Sequence, residues 1–176
     1  IAPMKSIAGM SVLITGGGSG IGRDCARHLC ERNARVTISG RRMEKLVAVQ
    51  AELGVQCEIV QGDVTVQADR EMMLTTAMHH GGGDLHALIN NAASMYRQPV
   101  DGYEEDFLKE AFNTNVVSAM MLSSMAVEPL ERTEGAIIFI GSTHTRRAFP
   151  GASPYATTKA ALEGLTKVMA AELGPR

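Results

Sequence analysis

Residues 11–22, SVLITGGGSGIG, constrain this chain more than any other stretch, because an apolar run stops at a glycine-rich turn and resumes with helical spacing. Val12, Leu13 and Ile14 predict a short strand buried on both faces, the pattern of a parallel sheet. Thr15 to Gly22 supply the breakers that end it. Beyond Ile21, apolar residues fall at Cys25, Ala26, Leu29 and Cys30, which predicts a helix. A strand, a glycine turn and a helix N-terminus together make an anion cradle. Glycine lets backbone amides approach without a Cβ in the way, and the positive end of the helix dipole faces the same anion.

The spacing is not G-x-G-x-x-G: counted from Gly16 the last position is Ile21, and counted from Gly18 it is Arg23. What stands there is T-G-x-x-x-G-x-G, through Thr15, Gly16, Gly20 and Gly22. A second motif lies near the other end. Tyr155 and Lys159 are four apart on a predicted helix and so share a face, and Ser142 precedes the tyrosine by some thirteen positions, just after the apolar run AIIFI. Asp63, Asn90-Asn91-Ala92 and Asn115 follow one another between the two motifs. A glycine turn alone is often a plain loop, and Y-x-x-x-K alone is usually a surface pair. Joined in this order, they resemble the short-chain dehydrogenase/reductase family.

The remaining chain alternates strand and helix patterns. Arg35 to Ser39 reads as a second strand, after Asn33 in the left-handed position that closes a helix. Met43 to Leu53 reads as a helix ended by Gly54, and Cys57 to Val60 as a third strand. A helix from about Gln67 to His79 and a fourth strand, Leu85 to Ile89, come next. A long helix is predicted from Glu104 to about Leu130. Within it Asn113-Thr114-Asn115 is a poor helical sequence, which suggests a break in the backbone ladder. Ala136 to Ile140 is the fifth and most apolar strand, and Ser153 is expected to cap a final helix with Pro154 in its first turn. Five such alternations predict an α/β fold with a doubly wound parallel sheet, the Rossmann arrangement, as one domain over residues 1–176.

The resemblance implies site residues one by one. Gly16, Ser19, Gly20, Ile21 and Gly22 would hold a dinucleotide's pyrophosphate, Asp63 and Val64 would flank its adenine, and Asn91 and Ala92 would abut it. Ala93 stands where the family's N-N-A-G turn has glycine. For Asp63 a second role, as N-cap of the helix that follows, stays open. After the second strand, Gly40-Arg41-Arg42 offers no carboxylate to a ribose hydroxyl but two guanidinium forks suited to a 2′-phosphate, so NADP(H) is expected over NAD(H). The alternative for both arginines is a solvated helix start. Tyr155 is implied as proton donor and acceptor. Phenols ionise only near pH 10, and the neighbouring Lys159 ammonium would favour the phenolate. Lys159 would also bind the nicotinamide ribose, Ser142 the substrate oxygen, and Asn115 a relay water. Met95 and His144 are expected at the substrate pocket, and the substrate is a small carbonyl or alcohol compound, whether sugar, polyol or acyl. A homodimer or homotetramer is implied by the resemblance alone.

Composition excludes other classes. With 45% hydrophobic residues and a net charge of −2 from 17 basic and 19 acidic side chains, no field recommends nucleic acid as a partner. No apolar run approaches membrane-spanning length, so no membrane partner is expected and the cytoplasm is the default location. Cys25, Cys30 and Cys57 lack metal spacing and are expected as reduced thiols; the five histidines form no metal site either. Ile1-Ala2-Pro3 ahead of Met4 reads as a vector-derived remnant. The family's last strands and substrate-binding segment are expected beyond the Y-x-x-x-K helix, so the sequence reads as a fragment. A binding protein derived from the same fold is the alternative function.

Overall fold

The computed structural model describes residues 6–176; the Ile1-Ala2-Pro3 and Met4 reading lies outside the described residues. Five parallel strands, β1 (Ser11–Thr15), β2 (Arg35–Gly40), β3 (Cys57–Gln61), β4 (Ala87–Asn90) and β5 (Ala136–Phe139), form one sheet in the order β3-β2-β1-β4-β5. The chain works outward from β1 to one edge and then crosses back past it to β4. The order therefore reverses between β1 and β4, and the crevice beyond their carboxyl ends is where a ligand fits such a sheet.

The crossovers are helical: α1 (Gly20–Cys30), α2 (Met43–Leu53), α3 (Gln67–His80), α4 (Glu105–Phe112), α5 (Ser118–Arg132) and α6 (Ser153–Leu173). Because side chains alternate along a strand, β1 feeds two cores. Val12 and Ile14 pack with Ala26, Val36, Ile38 and Leu46 beneath α1 and α2. Leu13 packs on the opposite face with Met73, Ala77, Leu88, Leu122 and Ala126 beneath α3 and α5. Cys30 and Cys57 are buried free thiols in the first core, and Cys25 is half-buried.

Three expectations need correction. The fourth strand begins at Ala87, because Leu85 is fully buried without being in the ladder. The N-cap of α6 is Ala152 and Ser153 is already helical, its hydroxyl turned to the Tyr103 hydroxyl. Asp63 does not cap α3, whose N-cap is Val66; it caps the preceding turn, accepting from Thr65 N at 2.9 Å and Thr65 Oγ1 at 2.7 Å. The predicted break in the long helix is present as a π-helical turn, Asn113–Val117, in which Ser118 N–H bonds back to Asn113 O. The Ser118 hydroxyl donates to Thr114 O at 2.6 Å and satisfies a carbonyl within the widened turn.

Candidate active site

The glycine turn is fastened to the end of β4 by Thr15, the last residue of β1. Its Oγ1 accepts from Asn91 N at 3.1 Å and Ala92 N at 3.0 Å and donates to Ile89 O at 3.5 Å. Asn91 returns the connection, its Nδ2 donating to Thr15 O at 2.9 Å and Gly16 O at 3.1 Å. This stitching leaves no room inside the turn. A Cβ on Gly22 would sit 2.5 Å from Gly16 O and 2.6 Å from Asn91 Nδ2, closer than atoms tolerate. Gly20, at φ +53°, holds a left-handed conformation that leads the chain into α1. Ser19 is the N-cap and makes no side-chain cap bond, so the first amides of α1 stay available to a ligand.

A cleft of about 470 Å³ opens here. One wall carries Gly16, Gly18, Ser19 and Ile21, another Gly40, Arg41, Arg42, Lys45 and Leu46, a third Gly62, Asp63 and Val64, and the fourth runs from Asn91 to Ser94 with Thr114. Three cations thus stand at one end. Arg41 Nη1 lies 3.9 Å from Asp63 Oδ2, with the Arg41 side chain 72% exposed. Burial raises the Asp63 carboxyl, but the Thr65 hydrogen bonds and the Arg41 charge outweigh it and hold the group below its ordinary value. Behind this wall Asp69 Oδ2 accepts from Asp63 N at 2.6 Å, and buried Arg70 donates to Val64 O at 2.7 Å. These two side chains of α3 fix the Asp63-Val64 loop.

The second motif gathers beyond β5, on the turn at Thr143–Thr145 and the first two turns of α6. Lys159 is 3% exposed, donates to Ile140 O at 2.7 Å, and holds its ammonium 5.8 Å from the centre of the Tyr155 ring. Burial pushes its pKa below 10.5. Ser142 Oγ accepts from His144 N at 3.2 Å and lies 3.2 Å from His144 Nδ1. The His144 ring meets the Tyr155 ring edge-on, centroids 5.3 Å apart, so Ser142 and Tyr155 are bridged by an imidazole. Asn115, on the π turn, makes three side-chain hydrogen bonds: Oδ1 accepts from Ser94 N at 2.9 Å, and Nδ2 donates to Ser94 O at 3.0 Å and Thr158 Oγ1 at 3.1 Å. It ties the cleft wall to α6. Met95 is 53% exposed, just past the point where that wall ends. A second cavity, about 490 Å³ between α5, β5 and α6, has walls that include Leu130, Phe139, Met169 and Leu173 and none of the motif residues. The first is lined by the glycine-turn motif, while Ser142, Tyr155 and Lys159 line neither.

Residues 10–176 match the family model described as short chain dehydrogenase. The chain belongs to the short chain dehydrogenase family. Among its relatives are a tropinone reductase homolog of Arabidopsis thaliana, 34% identical over 95% of this chain and 65% of that protein. Carbonyl reductase (NADPH) 2 of Sus scrofa is 33% identical over 97% of this chain and 68% of its own. A solved 3-ketoacyl-(acyl-carrier-protein) reductase from Brucella melitensis, complexed with NADH, superposes with a TM-score of 0.89 at 26% identity, covering 97% of this chain and 72% of that one. The chain spans about two thirds of the length of these relatives.

Sequence motifs of a short chain dehydrogenase name the atoms at the cleft but not those that hold them. Lys45 was legible in principle, three positions after Arg42 and hence on the same side of α2. Arg70 and Thr158 are fixed positions of none of these motifs and stand among other polar residues, and both prove to be buried. Among the described residues no group of three or more potential ligands is placed to hold a metal, and no helix is long and apolar enough to cross a membrane.

Proposed function

We propose that this chain is the nucleotide-binding part of an NADP(H)-dependent oxidoreductase that interconverts a carbonyl compound and a secondary alcohol. The observation that carries the reading is the buried Lys159 ammonium beside Tyr155. Burying a cation costs several kcal/mol in principle, and a perturbed cation held beside a phenol is the arrangement expected where a proton is transferred. Of its three N–H donors one is spent on Ile140 O, which leaves others for a ribose hydroxyl.

The residues fit a dinucleotide. The Gly16 to Gly22 turn is a cradle that a Cβ would fill, the α1 amides face it, and Asp63 and Val64 stand across the cleft for the adenine. Arg41, Arg42 and Lys45 with no strand-end carboxylate favour a 2′-phosphate, for which the exposed Arg41 is free to leave Asp63. When bound, the nicotinamide supplies or accepts the hydride. Tyr155 gives the proton to the carbonyl oxygen in reduction and takes it in oxidation. Ser142 donates to the same oxygen. Asn115 holds the Ser94 loop and α6 in register around them. His144 and Met95 flank the substrate, a small molecule. Val117, Met120 and Met121, exposed along the π turn and α5, supply an apolar face for a homodimer or homotetramer. Three reduced thiols suit the cytoplasm.

The test uses the full-length protein with a panel of ketones and both reduced cofactors. Tyr155→Phe is expected to lower turnover by about 10²- to 10⁴-fold while NADPH binding persists. Arg41→Ala combined with Arg42→Ala should weaken NADPH and spare NADH. Retained turnover in Tyr155→Phe overturns the assignment of the proton donor; a wild type that prefers NADH overturns the cofactor choice.

A further inference from the structure

We propose that His144 is a positioning residue whose protonation decides which way the Ser142 hydroxyl points, the imidazolium being the form that readies the serine to donate to a carbonyl oxygen. The inference rests on the oxidoreductase reading above.

A serine hydroxyl has one proton and two lone pairs. Here one lone pair is taken, since His144 N donates to Ser142 Oγ at 3.2 Å. The imidazole Nδ1, also 3.2 Å away, competes for what remains. With Nδ1 bare, as in the Nε2–H tautomer, it accepts the serine proton and turns the hydroxyl away from any substrate. With the ring doubly protonated, Nδ1–H donates to the second lone pair, and the serine proton is left for the substrate oxygen. Both states balance without any further group, because the imidazole exchanges its proton with water.

The ring has little freedom to avoid this choice. It stacks on Phe149 with centroids 4.3 Å apart and planes 28° from parallel, and on its other side meets the Tyr155 ring edge-on at 5.3 Å. The element packed against its turn is α6, which brings Tyr155, Lys159 and Glu163 towards it; the turn's own segment adds Arg146 and Arg147. Glu163 is anchored at this turn, accepting from Thr145 Oγ1 at 2.7 Å. The ring therefore lies in contact with one implied reacting side chain and within hydrogen-bond distance of another. Imidazole is the side chain whose charge changes between about pH 5 and 8.

The experiment measures kcat and KM for ketone reduction against pH at saturating NADPH, in the full-length wild type, His144→Asn and Ser142→Ala. In the wild type kcat should fall as the ring loses its proton, by on the order of a hundredfold, the loss that follows removal of one donor to a developing oxyanion. Asparagine presents an amide N–H that titrates nowhere in this range, so His144→Asn should lose that limb and recover the rate at the alkaline end. Ser142→Ala should lose the limb as well, at a uniformly low rate. A ¹⁵N spectrum of the ring gives a readout apart from turnover, with Nδ1 expected as a bare acceptor on the alkaline side. A wild-type limb that survives in His144→Asn, or an Nδ1–H tautomer in the neutral ring, overturns the proposal. A wild type that reduces no ketone with either cofactor overturns the function on which it rests, and the two failures are thereby told apart.

Discussion

Thr15 offers the sharpest test of how the cleft is held, because valine replaces it with the same shape and no oxygen. The substitution leaves Asn91 N and Ala92 N without the acceptor they share. A net hydrogen bond is worth about 1 kcal/mol, and a buried donor left unpaired costs about 1–3 kcal/mol. Both amides belong to half-buried residues and recover part of this from water, so Thr15→Val should cost about 2 kcal/mol in all. For a chain of this size that corresponds to a fall of about 4–8 °C in Tm. Thr15→Ser is the control. It keeps the oxygen and loses a buried methyl, for about 1 kcal/mol. Because Asn91 and Ala92 are cleft wall, the valine variant should also lose much of the thermal shift expected from NADPH in the wild type, and the serine variant should keep it. Differential scanning calorimetry with and without NADPH reads both effects. A valine variant within about 0.5 kcal/mol of wild type, or a serine variant that is the worse of the two, would refute the reasoning.

Other substitutions probe the same site. Gly22→Ala drives a Cβ into Gly16 O and Asn91 Nδ2 and should cost about 1–3 kcal/mol, with at least a tenfold weaker NADPH Kd by titration calorimetry. Lys159→Met tests linkage. The folded-state pKa of Lys159 lies below 10.5, so the unfolded chain binds the extra proton between that lowered value and 10.5. Wild-type stability relative to Lys159→Met should therefore rise with pH across that window in urea titrations, and a flat or falling difference would contradict a buried, desolvated ammonium. Burial pushes the Cys30 thiol up to about 11, and burial followed by the charges of Cys30 and Glu58 pushes Cys57 up to about 12. A thiol reagent at pH 8 should accordingly spare both in the native protein and label them on unfolding.

Much of this architecture was legible because its signals are local. The bounds of α2 follow from apolar spacing and from Gly54, which takes φ +68° at its end. Asn33 at φ +62° shows why asparagine stood at the close of α1. Asparagine in the middle of a long helix pointed to a break, and the π turn lies there. The failures share a cause in long-range burial. Leu85 is as apolar as any strand residue yet sits outside the ladder, where His86 Nδ1 accepts from Ser11 N at 3.1 Å and His86 N donates to Ser11 O at 2.8 Å. Ser153 and Asp63 are good caps by residue type, but each found another partner, Tyr103 and Thr65, that no local pattern discloses. Likewise His144 reads as a pocket residue from its offset to Ser142, while its hold on the serine depends on Phe149 and Tyr155 closing on the ring.

The π turn has a consequence for how this part of the chain tolerates change in length. Phe112 and Ser118 belong to one continuous rod, and the turn between them takes in an extra residue, because its ladder spans five residues where the rest spans four. A deletion within residues 113–117 would not shorten a loop. It would rewind the rod into a regular helix and remove the widened turn on which Asn115 stands. Asn115 would then lose Ser94 and Thr158 together, even though its own residue type was never touched. Residue count here aims one side chain: a chain one peptide unit shorter would keep the rod and lose the turn that points Asn115 at its partners.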